Sequence, residues 1–196
     1  MTKGWRDSVP GRGTLAMSLA LLIGCASNPS TFRASSDGVE PGDTVAVLPL
    51  VNLSQQPNAQ DVVQGEVVVQ MLALRLYNIV DPGAVQDLVI RQRLRLADRL
   101  PLETLRQVGT ELGCKYVMVG TVNAFGMVSE ATMAYPSVAV TMRMVRCEDG
   151  RIVWAGSHAR RGDDTESVFG LGRVTTLEQL TEETVADLLE SLGKKK

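Results

Sequence analysis

A chain of 196 residues that is 44% hydrophobic and 21% charged has the length and apolar content for one ordinary domain with a single core. With 20 Lys and Arg against 22 Asp and Glu, the formal charge is −2, so no overall positive field holds a polyanion by counterion release, which argues against a nucleic-acid partner. Aromatics at 4%, a single His and three Cys with no CxxC pair encode neither a base-stacking platform nor the ligands of a zinc site.

At the front, Lys3, Arg6 and Arg12 make a basic leader diluted only by Asp7, and Thr14 to Gly24 (TLAMSLALLIG) is an uncharged run of eleven residues. That is the layout of a secretory signal. A spanning helix needs about 20 apolar residues, and this run is cut short by Ser27-Asn28-Pro29-Ser30. It ends in Leu22-Ile23-Gly24-Cys25, which resembles the lipobox of bacterial lipoproteins. Cys25 would then become the mature N-terminus and carry diacylglycerol and an N-acyl chain of the palmitate kind, the only cofactor-like group expected. The alternative is an ordinary thiol at the end of a signal cleaved elsewhere. At about 0.8 kcal/mol per buried CH₂, even two acyl chains moor a protein stably. Ala26 stands where an Asp would, by resemblance to Gram-negative sorting signals, favour the inner membrane. The outer membrane, facing the periplasm, is therefore the expected location.

Residues 26–43 (ASNPSTFRASSDGVEPGD) are rich in Ser, Pro and Gly and lack either hydrophobic period, so they read as a flexible tether that lets the domain stand clear of the bilayer. The expected division is residues 1–24 as signal, 25–43 as lipidated tether, 44–193 as the domain and 194–196 as a basic tail.

Thr44 to Val51 (TVAVLPLV) is a near-continuous apolar run, as in a strand covered on both faces. Asp61 to Leu76 follows at helical spacing, with Asp61 as N-cap and Val63, Val67, Met71 and Leu74 inward. The further Val62, Val68, Val69 and Leu72 make its apolar arc wider than one sheet face needs. Either the helix is deeply buried or its surplus face meets another subunit. Tyr77 to Val80 is a brief strand ended by Asp81-Pro82-Gly83, and Ala84 to Ala97 is a helix. On it Arg91, Arg95 and Arg99 recur at i, i+4, i+8, with Asp87 one turn before Arg91. This stripe is a solvated face or a docking edge for an acidic neighbour. Pro101 to Gly113 is a third helix, opened by Pro and closed by Gly.

Tyr116 to Met127 and Ser137 to Arg146 alternate at period two, with Val138, Val140, Met142 and Met144 on one face. Glu148-Asp149-Gly150 turns into a third strand, Arg151 to Ala159. Asp163, Asp164 and Gly170 to Gly172 mark a loop, and Thr175 or Thr176 opens a terminal helix ending at Gly193. The fold class is α/β of the α+β kind: one mixed sheet with packed helices, in the order β-α-β-α-α-β-β-β-α.

Catalytic constellations are not found. Gly170-Leu171-Gly172 has no preceding strand and no Lys behind it, so it is not a phosphate loop. The sole imidazole, His158, lies near a strand end beside Ser157, Arg160 and Arg161 with no nucleophile elbow, and reads as structural or surface; a hydrolase centred on it is the distant alternative. Asp163-Asp164 lacks the desolvation that general acid catalysis needs, and Arg161-Gly162-Asp163 matches an adhesion tripeptide by chance. No small-molecule substrate is evident. Cys114 and Cys147 fall near one end of the hairpin formed by the strands at 116 and 146, either as a disulfide or as separate buried thiols. Arg143, outward in mid-strand, argues against a membrane-spanning hairpin.

VAVLPLVNLS, the Tyr-x-Ile-Val-Asp step at residues 77–81, Leu112-Gly113-Cys114-Lys115-Tyr116-Val117 running into Gly120-Thr121-Val122, and Glu148-Asp149-Gly150-Arg151-Ile152-Val153-Trp154 together resemble the domain of the curli-secretion (CsgG-like) lipoproteins. That superfamily includes outer-membrane activators of penicillin-binding proteins and the periplasmic ring lipoprotein of Pel polysaccharide export. The resemblance spans about residues 44–192 and implies a mixed sheet with helices packed on it, a homo-oligomeric ring or docking on an envelope enzyme, and no catalysis. Pore-forming members add amphipathic strand insertions. Here the connection from Met127 to Ser137 is only about nine residues (VSEATMAYP), which points to an accessory protein rather than a channel. The expected partners are the outer membrane through lipid, and envelope proteins or copies of itself. The expected role is an accessory or ring-forming part of envelope assembly and secretion, with regulation of peptidoglycan synthesis as the alternative.

Overall fold

A computed structural model describes residues 28–34, 39–94, 100–130, 133–164 and 172–193. The elements run β1 (Ser30–Arg33), β2 (Thr44–Val47), β3 (Val51–Asn52), α1 (Ala59–Leu74), β4 (Asn78–Ile79), α2 (Pro82–Arg91), α3 (Leu102–Leu112), β5 (Tyr116–Glu130), β6 (Met133–Arg146), β7 (Ile152–Arg161) and α4 (Leu177–Gly193). All seven strands form one mixed sheet in the order β1-β7-β6-β5-β2-β4, with β3 also on β5. The expected fold class and element order hold, with β1 added in front and the first strand divided.

The division falls at Pro49, which has no N–H to give a ladder. β2 pairs parallel with Tyr116–Met118, and β3 resumes on Thr121 and Val122. The continuous apolarity of this stretch has the expected cause. Val45 and Val47 face α1 and α4, while Ala46 and Leu48 face α2 and α3, so both sides of the strand are buried.

The larger core layer joins Val138, Val140, Met142, Met144 and Trp154 of the sheet to Val63, Val67 and Met71 of α1 and Leu180, Leu188 and Leu192 of α4. α4 is opened by Thr176, whose hydroxyl accepts from the Gln179 N–H at 3.3 Å. It seats closely because Gly156 of β7 carries no side chain: a Cβ there would lie 2.6 Å from Leu188 Cδ1. The smaller layer, under α2 and α3, covers the β2 side of the sheet with Val85, Leu88, Leu105 and Val108.

Several boundaries differ from expectation. Residues 26–43 do not read through as a tether, because Ser30–Arg33 pairs antiparallel with Trp154–Ser157 as an edge strand. Backbone hydrogen bonds to a free edge need no hydrophobic period, which is why composition missed it. The Arg33 guanidinium reaches the C-terminal carbonyls of α4 at Ser191 (3.1 Å) and Leu192, groups left without helical partners, and this ties β1 down. Asn58, not Asp61, occupies the N-cap position of α1, and Asp61 sits in its first turn. α2 is capped by the Asp81 side chain and stops at Arg91, with Arg93 left-handed just beyond, so the expected helix to Ala97 is shorter. The stretch from Met127 to Ser137 is not a loop: β5 and β6 stay paired out to Glu130 and Met133.

Gly162, directly after β7, is enclosed, and a Cβ there would fall 2.1 Å from the Val174 carbonyl oxygen, whereas Gly65 on α1 has nothing within 4 Å. Gly162→Ala should therefore destabilise the domain by roughly 3 kcal/mol through overpacking, and Gly65→Ala should stabilise it by about 1 kcal/mol through helix propensity. Denaturant midpoints of the two variants check both signs.

Candidate docking surface

Cys25, Arg95, Arg99, Gly170, Leu171 and the Lys triplet at 194–196 lie outside the described residues. Arg91 is the described member of the proposed stripe, and α2 ends on it. It lies 3.9 Å from Glu111 of α3, an exposed pair of little energetic weight. The single helix that was to present three guanidinium groups on one face therefore does not extend past Arg91.

The surplus apolar face of α1 is present and free. Val63, Val67 and Met71 are buried, Val68 is partly buried, and Val62, Val69 and Leu72 are each about half exposed. With Gly65 between them, these residues trace a 3-4-3 stripe, the spacing of one helix face. Asp61 stands at its N-terminal end and exposed Arg75 at its C-terminal end. A second apolar exposure lies at the far end of the β5–β6 hairpin, where Met127, Val128 and Met133 face solvent.

His158 is 3% exposed, on the α4 face of β7, with Nε2 3.5 Å from Asp187 Oδ2. Burial holds its pKa below the usual imidazole value, against the pull of Asp187. Adjacent strand residues point to opposite faces, and Ser157 accordingly faces away, its Oγ 3.1 Å from Thr141 Oγ1. A Ser157–His158 nucleophile–base couple is excluded by that alternation. Arg160 pairs with Glu183 (2.9 Å) and Asp187 (3.1 Å), pinning α4 to β7. The Asp163-Asp164 pair serves the β7 exit: Asp163 holds the Arg161 guanidinium by two contacts of 3.0 and 3.1 Å, and Asp164 accepts from the Arg161 N–H. These carboxylates are satisfied structural groups, and the tripeptide Arg161-Gly162-Asp163 is a packed corner.

Cys114 and Cys147 are both buried, free thiols. They neighbour each other at the base of the hairpin, where the Cys147 N–H bonds the Lys115 carbonyl. The Cys147 S–H donates a hydrogen bond to the Cys114 sulfur, which lowers the Cys114 pKa, while the same bond together with burial raises that of Cys147. Nearby, the Lys115 ammonium sits 3.1 Å from both Asp43 oxygens, which raises its pKa and closes the start of β5 onto the loop before β2. Sequence reasoning gave Lys115 and Asp43 no role, since the two lie 72 residues apart and nothing in the sequence pairs them. A groove of about 300 Å³ lined by Leu100, Leu105, Val119, Arg143, Val145 and Ile152 runs beside α3, without a converging set of catalytic groups. Among the described residues no group of His, Cys, Asp and Glu is arranged to hold a metal, and no helix is long and apolar enough to cross a membrane.

With apolar faces exposed and no reaction centre assembled among the described residues, the family relationship decides the reading. The family model described as the peptidoglycan-synthase activator LpoB matches residues 24–159, from before β1 into β7. The chain belongs to the LpoB family. Members are accessory proteins of envelope assembly: the family is named for activating a synthase, not for being one. No curated protein sequence matches the chain. Among solved structures, the chain is similar to the PelC dodecamer from Paraburkholderia phytofirmans, at 18% identity and a TM-score of 0.58 over 86% of this chain and 99% of that one. It is also similar to lipoprotein GNA1162 from Neisseria meningitidis, at 18% identity and 0.56 over 76% and 97%. At such identities the likeness establishes the shared fold. The wider curli-secretion grouping rests on the sequence resemblance alone.

The titration of His158 has a sign that can be checked. Its folded pKa lies below the unfolded value near 6.5, so the unfolded chain binds the proton more readily, and stability is full above that pH and falls as the pH drops through the depressed folded value. Denaturation profiles between about pH 7.5 and 5 should fall more steeply for the wild type than for His158→Gln. Equal slopes would contradict the buried neutral imidazole.

Proposed function

We propose that this protein is a non-enzymatic lipoprotein, moored through acyl chains on Cys25 to the periplasmic face of the outer membrane, that activates a peptidoglycan synthase by direct contact. The family match over residues 24–159 carries the reading. The order of basic leader, short apolar run and Leu22-Ile23-Gly24-Cys25 supports the anchor. The two exposed apolar surfaces support work done by contact. A tethered activator needs no cofactor beyond the lipid and no small substrate of its own.

Two measurements in cells test it together. Fatty-acid labelling should mark the wild type and fail for Cys25→Ala, and incorporation of labelled wall precursor should fall on deletion and remain low with Cys25→Ala. Labelling that survives Cys25→Ala removes the anchor. Wall synthesis that is unchanged by deletion removes the activator.

Self-assembly, as part of a polymer-export machine, is the second reading, favoured by the Val62-Gly65-Val69-Leu72 stripe. A second copy's α1 laid antiparallel on it would bury both stripes and bring the Asp61 end of each copy toward the Arg75 end of the other, charges of opposite sign. Sedimentation of the secreted Cys25→Ala form should show concentration-dependent association that Val69→Asp abolishes. A monomer at high concentration leaves the tethered activator as the working form.

A further inference from the structure

The base of the β5–β6 hairpin carries two thiols that docking leaves unused. Cys114 follows Gly113, the cap of α3, and precedes the first residue of β5 by two, while Cys147 directly follows β6. The Cys147 N–H donates to the Lys115 carbonyl at 3.0 Å, so the ladder runs one step past Tyr116–Arg146 and sets Cys147 across from the residue next to Cys114. Opposite residues of an antiparallel pair lie about 5 Å apart and successive residues rise about 3.4 Å, which puts the two Cα atoms about 6 Å from each other. A disulfide spans roughly 4.4 to 6.8 Å between Cα atoms. The sulfurs are already in contact, the Cys147 S–H donating to the Cys114 sulfur.

Gly109 of α3 packs against both cysteines. A Cβ there would lie 2.7 Å from Cys147 Cβ and 3.1 Å from the Cys114 carbonyl oxygen, and the Cys114 N–H donates to the Gly109 carbonyl at 3.0 Å. An approach that only glycine allows therefore holds the two cysteines beside one helix. Both also border a cavity of about 420 Å³, lined by Arg106, Thr110, Lys115 and Glu148, which is open to solvent and gives a small reagent access to the thiols. Every registered pair of β5 with β6 falls between Cys114 and Cys147 in the chain. The loop that a bond between them closes is thus the hairpin itself, and closing it removes from the unfolded chain part of the entropy that its long-range pairing costs.

We propose that Cys114 and Cys147 are an oxidisable pair, joined by a disulfide when the protein is in an oxidising compartment, and that this bond stabilises the domain by closing the base of the hairpin. It rests on the export proposed above, because cytosolic thiols are kept reduced. The oxidant is a disulfide compound. Cys114, whose thiolate the hydrogen bond from Cys147 favours, loses its proton to water and attacks one sulfur of the oxidant. The oxidant's S–S bond breaks, and one half leaves as a thiolate. Cys147, its proton also passing to water, then attacks the Cys114 sulfur of the mixed disulfide and expels the other half. Two protein thiols are oxidised by two electrons, one disulfide of the oxidant is reduced, and its two thiolates take up the two protons.

The test opens cells in N-ethylmaleimide, which blocks every free thiol, and weighs the peptides of the purified protein. The expected result is a peptide holding Cys114 joined to one holding Cys147, lighter than the free pair by two hydrogens and without maleimide. Treating that protein with a phosphine reductant should lower Tm by about 5 to 10 °C, whereas Tm of Cys147→Ala and of Cys114→Ser should not respond. Maleimide on both cysteines of protein that carries acyl mass on Cys25 overturns the disulfide and leaves the anchor standing. Maleimide on both, in protein that keeps its leader and carries no acyl mass, overturns the exported location and the oxidation of the pair together. A linked pair whose reduction leaves Tm unchanged overturns the stabilising closure of the hairpin.

Discussion

The antiparallel ladder between β5 and β6 is the constraint on which the rest of the molecule depends. Fourteen registered pairs run from Tyr116–Arg146 to Glu130–Met133, interrupted only by a bulge at Asn123. Every other element takes its place from this hairpin. β2 and β3 add to one edge, β7 and then β1 to the other, and the alternation of Met142 and Met144 with Arg143 and Val145 determines which layer each helix meets. A slip of one residue would turn Val138, Val140, Met142 and Met144 to the wrong face, so the buried α1–α4 layer and the register enforce each other.

The consequences for function are largely topological. Because β7 returns beside β6 and β1 pairs with β7, β1 forms the sheet edge close to α4, where Arg33 satisfies carbonyls at the helix end. An accessory protein that acts by contact depends on which of its faces are free. Here α4 and the inner face of α1 seal one side of the sheet and α2 with α3 cover part of the other, leaving the outer face of α1 and the hairpin end exposed. The sole imidazole, which a search for catalysis would select, is buried between β7 and α4, and the paired acids hold Arg161 and close the corner after β7.

Much of this was legible in the sequence wherever burial imposes a period. Thr44–Val47, covered on both faces, and β6, covered on one layer by α1 and α4, read correctly, as did the Pro and Gly that bound α3. The surplus on α1 was legible for the same reason, since apolar residues beyond one face must either be buried or remain free. What escaped was pairing that imposes no buried face. Ser30–Arg33 and the paired segments 128–130 and 133–136 show no clean apolar alternation, yet pairing continues because edge and end positions require none. The Arg91, Arg95 and Arg99 stripe assumed a helix that ends at Arg91, with Arg93 turning left-handed, and no capping signal in the sequence marked that stop.

The account's central claim, that this protein acts on a synthase by touch, is tested most directly by following glycan polymerisation and cross-linking by a purified bifunctional penicillin-binding protein of the same bacterium, with and without the mature lipoprotein. A severalfold, saturable rise in rate, with no turnover by the lipoprotein alone, is the predicted result. A rate that is unchanged at saturating lipoprotein, across all the cell's synthases, would contradict it.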